Sequence, residues 1–200
     1  MAPEISTRAL VDRLADRDPA HGYTIGELLD EFRTRAFGLF LLLALLPAFI
    51  PLPVGMGAVS GPLVSLIGLQ LLLRLPHPWL PGRLARHPVK PERFTRFRAR
   101  ASRWLQRLEK ISRPRAEAIV DHAAARLFTG LLLLILGVLL SLPIPLTNYP
   151  FGLILLLYAI ALIERDGRMM LLAWLLGLAE IIAFALFSQQ IATWIAAWWA

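Results

Sequence analysis

One carboxylate stands apart from the other charged residues of the chain. Glu180 is the only charged residue between positions 169 and 200, and at 1.5 Å per residue it lies about 17 Å into that apolar segment. An ionisable group at such a depth in a membrane is costly and indicates a functional site by default. Glu180 would bind a cation or a protonated amine. The alternative is a neutral Glu180 that is hydrogen-bonded to a neighbouring helix or faces a subunit contact.

Hydroxyl and amide side chains at a similar predicted depth could complete a site with Glu180. They flank two proline-rich breaks in the apolar sequence and are Ser60, Ser141, Thr147 and Asn148. Proline removes backbone donors and so leaves carbonyl groups free to bind. Non-helical backbone at mid-membrane depth persists only where protein or a wet cavity surrounds it. We therefore predict a polar cavity in the middle of the membrane, formed by these side chains and Glu180.

Signatures of enzyme chemistry are absent from the sequence. The four histidines lack the spacing of metal ligands, and there is no cysteine. No glycine-rich phosphate loop is present, and Ser60 lacks a nucleophile-elbow frame. Glu164 and Asp166 stand two residues apart at a predicted helix end, and we expect them in a solvated loop. The sequence thus predicts no enzymatic activity, no metal and no cofactor.

The elements that must position these residues are apolar and long. No charged residue occurs in 36–73 or in 127–163, and a charge-free apolar run of 18 or more residues is typical of membrane segments. Hydrophobic residues make up 57% of the 200-residue chain. The sequence predicts an all-α integral membrane protein with a single membrane domain over residues 1–200.

Prolines divide each apolar run into two arms. Pro51 and Pro53 break the first run, and Pro143 and Pro145 break the second. Arms of about 13–16 residues reach roughly 20–24 Å, which is less than the ~30 Å hydrocarbon core. We therefore predict two re-entrant helical hairpins, 36–73 and 127–163, that form an internal repeat. The alternative is two ordinary spanning helices per run, with tilt and local thinning absorbing the mismatch.

Two further helical segments flank the hairpins. Residues 1–35 are predicted to form N-terminal cytoplasmic helices. One of them is capped by Thr24 and Glu27 in a capping box and is expected to run on toward Ile50. Residues 169–200 are predicted to cross the membrane once as a C-terminal transmembrane helix.

A basic linker separates the two hairpins. Residues 74–126 contain 14 Lys and Arg against four acidic residues, which the positive-inside rule explains better than nucleic-acid binding. Within the linker, 91–113 has the pattern of a basic amphipathic helix lying on anionic membrane lipids. Its apolar stripe could instead pack on the protein's own helices or on a second subunit. The residues assigned to the membrane interface are Arg96, Phe97, Arg100, Arg103, Trp104 and Arg107.

The distribution of charge also predicts where the protein resides. It favours a multi-pass protein of the bacterial inner membrane with a cytoplasmic N-terminus. A chain of this size would need a second copy to enclose a transport path, so we expect a homodimer.

Several short motifs resemble those of the ExoD family of exopolysaccharide-synthesis membrane proteins. They are Gly26-Glu-Leu-Leu29, Gly61-Pro-Leu63, Pro78-Trp-Leu-Pro81, Pro143-Ile-Pro145 with Thr147-Asn148, and Arg165-Asp-Gly167. The resemblance implies a part in exopolysaccharide production and in growth at alkaline pH, and it names no reaction. Two functions fit it. One is a small transporter or permease for a cation, an amine or a lipid-linked intermediate. The other is a non-transporting membrane partner that regulates envelope or polysaccharide-synthesis proteins.

Overall fold

The computed structural model describes residues 7–15, 23–49, 57–89, 99, 118–142 and 148–199. These ranges are almost entirely helical, as the predicted all-α class requires. A 3₁₀ helix over Leu46–Phe49 extends α3, and the strands β1 (Tyr23–Thr24) and β2 (Pro88–Val89) form one short antiparallel pair. The helices are α1 (Thr7–Ala15), α2 (Ile25–Phe32), α3 (Thr34–Leu45), α4 (Gly57–Leu72), α5 (Gly82–Ala85), α6 (Ala118–Asp121), α7 (Ala123–Leu140), α8 (Asn148–Glu164) and α9 (Gly167–Trp199).

Two of the described helices are long and apolar enough to cross a membrane. They are α7 and the Gly167–Phe187 part of α9. A third joins them if α2 and α3 are taken as one bent span. The helices α4 and α8 are apolar but shorter, with 16 and 17 residues. At 18 residues α7 exceeds the predicted arm length and reaches about 27 Å, close to the hydrocarbon thickness.

The helix that begins at Thr24 does not run on to Ile50, so that prediction was wrong. Its capping box is confirmed, because Thr24 Oγ1 accepts from the Glu27 amide at 3.3 Å and Glu27 Oε2 accepts from the Thr24 amide at 2.9 Å. The chain then breaks at Arg33, which has a φ of 46°, and α3 departs at 113° to α2. The break lets Phe32 at the end of α2 pack with α1 in a small separate core, while α3 enters the main core.

Four helices form the main bundle, in the cyclic order α3, α4, α7, α8. The most extensive contacts join α4 to α7 and α3 to α8, so each arm of the first half packs mainly on an arm of the second. Both pairs are antiparallel. Gly38 in α3 faces Ala159 and Ile163 in α8, whereas Gly152 near the start of α8 faces Phe49. α9 packs on the outside, against α8 and α7.

Glycines let α4 and α7 approach until their backbones touch. A β-carbon on Gly61 would lie 2.5 Å from the Gly137 carbonyl oxygen, and one on Gly68 would lie 2.7 Å from that of Gly130. No side chain fits at either point. Small residues at such contacts are the usual means of close packing between membrane helices. We call this contact the glycine seam, and it comprises Gly57, Gly61 and Gly68 of α4 with Gly130 and Gly137 of α7.

The helices α4 and α8 end in the same way. Each terminates in a Schellman motif, in which the amide two positions beyond the C-cap bonds to a carbonyl five residues earlier. These bonds run from Leu75 to Gln70 at 3.2 Å and from Asp166 to Ala161 at 3.1 Å. The left-handed position is filled by Arg74 and by Arg165, with φ of 56° and 54°. We call this end of the bundle the basic end.

Candidate functional site

At the opposite end of the bundle, residues that follow the first predicted break lie against residues that flank the second. The first turns of α4 lie against the last residues of α7 and the first residue of α8. A β-carbon on Gly57 would lie 2.2 Å from the Leu140 carbonyl oxygen and 2.5 Å from Asn148 Oδ1, and one on Gly61 would lie 2.2 Å from Ser141 Oγ. Glycine at these two positions therefore allows Ser141 and Asn148 to sit directly on α4.

Ser141 and Asn148, together with Ser60 in the same turns of α4, are the polar residues that we call the tip cluster. Ser60 is fully buried and Asn148 is 8% exposed. Neither Ser60 Oγ nor Asn148 Oδ1 has a hydrogen-bond partner within the described ranges. Ser141 Oγ donates to the Gly137 carbonyl at 2.8 Å. Buried polar atoms without partners are uncommon and mark places where a water or a ligand can bind. Thr147, predicted for the same site, lies outside the described residues.

Glu180 lies in a groove on the neighbouring face of the bundle. The groove has a volume of about 190 Å³, and the residues that line it are Phe151, Glu180, Ala183, Phe184 and Phe187. Glu180 is half-buried, and its Oε2 atom has no hydrogen-bond partner in the part of the chain that the structure describes. The Phe151 and Phe184 rings meet edge to face at 6.2 Å. We call this feature the Glu180 groove.

The tip cluster and the Glu180 groove are adjacent but distinct. Phe151 follows Asn148 by three residues, about one helical turn, so the two features lie at a similar height on α8. None of the tip-cluster side chains lines the groove. The structure therefore groups Ser141 and Asn148 around the start of α4 and places Glu180 between α8 and α9.

Tyr158 is a polar residue close to Glu180 that sequence reasoning did not assign to the site. Its side chain is fully buried, and its hydroxyl has no hydrogen-bond partner among the described residues. A β-carbon on Gly177, three residues before Glu180, would lie 2.7 Å from that hydroxyl. The two-residue turn between α8 and α9 makes them antiparallel neighbours. Counting equal distances from that turn pairs Tyr158 with Ala173, about one helical turn short of Gly177. The count alone therefore does not place the Tyr158 hydroxyl near Glu180.

A family model described as "Exopolysaccharide synthesis, ExoD" matches residues 7–186 of this chain. The chain belongs to the ExoD family. It is 31% identical to Protein ExoD of Rhizobium meliloti over 166 residues, which are 81% of this chain and 69% of that protein. It is 26% identical to an uncharacterized protein of Synechocystis sp. over 153 residues, 76% of this chain and 71% of that protein. No solved structure matches it.

The region matched by the ExoD family model contains both features of the candidate site. Residues 7–186 include the whole tip cluster and Glu180, and of the groove residues only Phe187 lies beyond the match. The family description, exopolysaccharide synthesis, names a process. What the two features do chemically must therefore be argued from their geometry.

The basic end of this ExoD-family protein is a network of polar contacts. Thr7 Oγ1 donates to the Ile163 carbonyl at 2.6 Å, which ties α1 to the end of α8. Arg165 forms an ion pair with Asp121 of α6, and Arg126 Nη2 donates a hydrogen bond to the Leu75 carbonyl. These contacts fix the helix ends to one another on the side where most of the described arginines lie.

Glu164 and Asp166 do not lie in a solvated loop, so that expectation was wrong. Both are buried, with 1% and 6% of their surfaces exposed. Asp166 Oδ1 accepts from the amides of Arg168 at 2.9 Å and Met169 at 3.2 Å. The carboxylate therefore satisfies the first amides of α9, a structural role that the short α8–α9 turn imposes.

The Pro78–Pro81 segment, which carries part of the ExoD resemblance, meets Gln70 at the basic end. Gln70 Oε1 accepts from the Trp79 amide at 2.7 Å, so the buried amide side chain holds the loop that follows α4. This contact gives Gln70 a structural role.

The remaining predicted residues fall outside the described ranges. These are the membrane-interface residues Arg96, Phe97, Arg100, Arg103, Trp104 and Arg107. Within the described ranges, no group of three His, Cys, Asp or Glu side chains could hold a metal ion.

Proposed function

We propose that this ExoD-family chain is a small membrane permease that serves exopolysaccharide production. It would move a cation, an amine or a lipid-linked intermediate through a site built where the two apolar runs break. The observation that carries the proposal is the tip cluster. Two proline-broken segments, distant in sequence, meet there and leave buried polar atoms of Ser60 and Asn148 without partners.

The reasoning rests on what unsatisfied polar atoms cost inside apolar surroundings. A buried donor or acceptor without a partner costs about 1–3 kcal/mol, so a purely structural contact would be expected to carry apolar side chains. Proteins that bind a polar solute at mid-membrane depth keep such atoms available, and they build them at breaks in paired helices. The tip cluster meets both conditions.

The wider arrangement that we propose follows the charge pattern. The basic end would face the cytoplasm of a bacterial cell, with the chain in the inner membrane and its N-terminus inside. The two runs would enter as re-entrant hairpins, and α9 would cross once. Two copies would enclose the path, the basic segment 91–113 would rest on anionic lipids, and the chain would catalyse no reaction.

Complementation of a strain that lacks the gene tests this proposal. The variants are Asn148→Ala and Ser60→Ala, and the matched control is Ser65→Ala. Ser65 is a hydroxyl on the same α4–α7 contact that donates weakly to the Leu134 carbonyl at 3.4 Å and lies outside the tip cluster. We expect the first two variants to lower exopolysaccharide output and growth at alkaline pH at unchanged protein level in the membrane. The control should behave as the unaltered chain.

Two outcomes would contradict the proposal. Normal exopolysaccharide output from Asn148→Ala and Ser60→Ala would remove the tip cluster from the function. If output falls but proteoliposomes with the purified chain carry no flux of sodium, potassium or tetramethylammonium ions, and none of a fluorescent polyprenyl-phosphate lipid, the permease is wrong. A regulatory membrane partner would then replace it.

A further inference from the structure

The Glu180 carboxylate has no positive partner from its own membrane segments. Residues 36–73 and 127–163 contain no charge, and 169–200 contain no Lys or Arg. The nearest polar group on the packed helix α8 is the Tyr158 hydroxyl, which is neutral. A carboxylate held among apolar side chains is stable only when it is protonated or when a cation reaches it from outside the chain.

The walls of the Glu180 groove decide which cations suit it. Its exposed lining is hydrocarbon. The Phe187 ring is exposed and the Phe151 ring is buried, and Glu180 is the lining residue with side-chain oxygens. Hard metal ions such as Mg²⁺ and Ca²⁺ require about six oxygen ligands, and the Glu180 carboxylate could offer at most two. Ammonium groups bind to the faces of aromatic rings and donate to carboxylates. The volume of about 190 Å³ accommodates a small ammonium head group.

The groove opens on the outer surface of α9. Phe187, which lines the groove, is 58% exposed. In a bilayer this apolar surface would contact lipid, so a ligand could enter sideways from the membrane. An ammonium group could therefore belong to an aminophospholipid or to a dissolved alkylammonium ion.

We propose that the Glu180 groove binds a substituted ammonium group, with the carboxylate as counter-ion and the phenyl rings as the surrounding wall. The inference deepens the proposed function by naming the ligand class, and it would place ammonium recognition one turn from the tip cluster. It predicts binding that depends on both the charge of Glu180 and the aromatic character of Phe187.

The test measures binding of tetramethylammonium chloride to the purified full chain in detergent by calorimetry and by thermal unfolding. Sodium chloride at equal ionic strength and neutral tert-butanol serve as comparison ligands. We expect saturable binding of tetramethylammonium alone. Glu180→Gln should weaken it by about 10-fold or more, and Phe187→Leu by about 3-fold to 10-fold. Glu31→Gln, on the exposed side of α2, is the matched control and should leave binding unchanged.

A second measurement identifies the source of the ammonium group. Native mass spectrometry of the chain from mixed phosphatidylethanolamine and phosphatidylglycerol nanodiscs reports which lipid stays bound. Retention of phosphatidylethanolamine that is lost in Glu180→Gln would support a lipid head group. Tetramethylammonium binding without lipid retention would support a soluble ion.

The proposal is overturned if the unaltered chain does not bind tetramethylammonium, or if Glu180→Gln and Phe187→Leu bind it as well as the unaltered chain. Phe187 is mostly exposed, so its variant should fold even if Glu180→Gln does not. These readouts involve neither exopolysaccharide nor flux. If tetramethylammonium does not bind but exopolysaccharide output still depends on Asn148, the ammonium proposal is wrong and the permease proposal is unaffected.

Discussion

Replacing Gly61 with alanine adds one methyl group inside the glycine seam. The new β-carbon would lie 2.5 Å from the Gly137 carbonyl oxygen and 2.6 Å from the Ser141 amide nitrogen. Both are backbone atoms, of α7 and of its C-cap residue, so neither can turn aside as a flexible side chain could. The two helices must separate to accept the substitution.

The size of the effect follows from these distances. Restoring ordinary contact requires α4 and α7 to part by roughly 1 Å, which forfeits a quarter to a half of the dispersion energy of the contacts that open. Overpacking of this kind costs about 1–3 kcal/mol. Alanine regains about 1 kcal/mol as the better helix former. Gly61→Ala should therefore lower the free energy of unfolding by up to about 2 kcal/mol. Gly68→Ala, about 10 Å away along the helix, should add a similar loss.

Unfolding of the detergent-solubilised chain, followed by circular dichroism during titration with sodium dodecyl sulfate, measures this loss. Gly82→Ala is the control, because a β-carbon there meets only Arg86 Nη2 at 3.7 Å. If Gly61→Ala and Gly68→Ala unfold at the same detergent fraction as Gly82→Ala, the helices are not in backbone contact and the seam is refuted.

Three further substitutions probe two helix ends and a buried hydrogen bond. Arg74→Gly should raise the free energy of unfolding by about 1 kcal/mol, because glycine removes the left-handed strain. Arg165→Gly should raise it by less, because that variant also loses the ion pair with Asp121. Equal melting shifts for the two variants would contradict this account. Thr129→Val should cost about 1–3 kcal/mol, because the Trp174 indole loses the acceptor that it contacts at 3.0 Å. A thermal melt checks it, and an unchanged melting temperature would show that the bond contributes little.

The sequence predicted the helices of the bundle because charges and prolines bound each apolar run. It also predicted the Thr24–Glu27 capping box, which depends only on local spacing. It failed at Arg33, where neither glycine nor proline marks the break. The bend there is set by α2 packing on α1, a tertiary contact that local propensity does not encode.

Part of the candidate site was predictable because prolines mark the breaks in the apolar runs. The Pro143 and Pro145 break predicts a helix end near Ser141 and a helix start near Asn148. Both residues could therefore be assigned to the same break. The depth of Glu180 could also be counted along α9. Which neighbour Glu180 faces depends on the rotation of α9 against α8. A helix that is apolar on all sides carries no periodic signal for that rotation, so the groove lined by Phe151 and Phe184 could not be predicted.

The glycine seam also limits how this protein can change shape. Side-chain interfaces slide because rotamers can be exchanged, but a contact between two backbones offers no rotamers to exchange. Helices α4 and α7 should consequently travel as one rigid spine through any conformational cycle. Opening and closing would then fall to the outer helices α3, α8 and α9, which hinge on that spine.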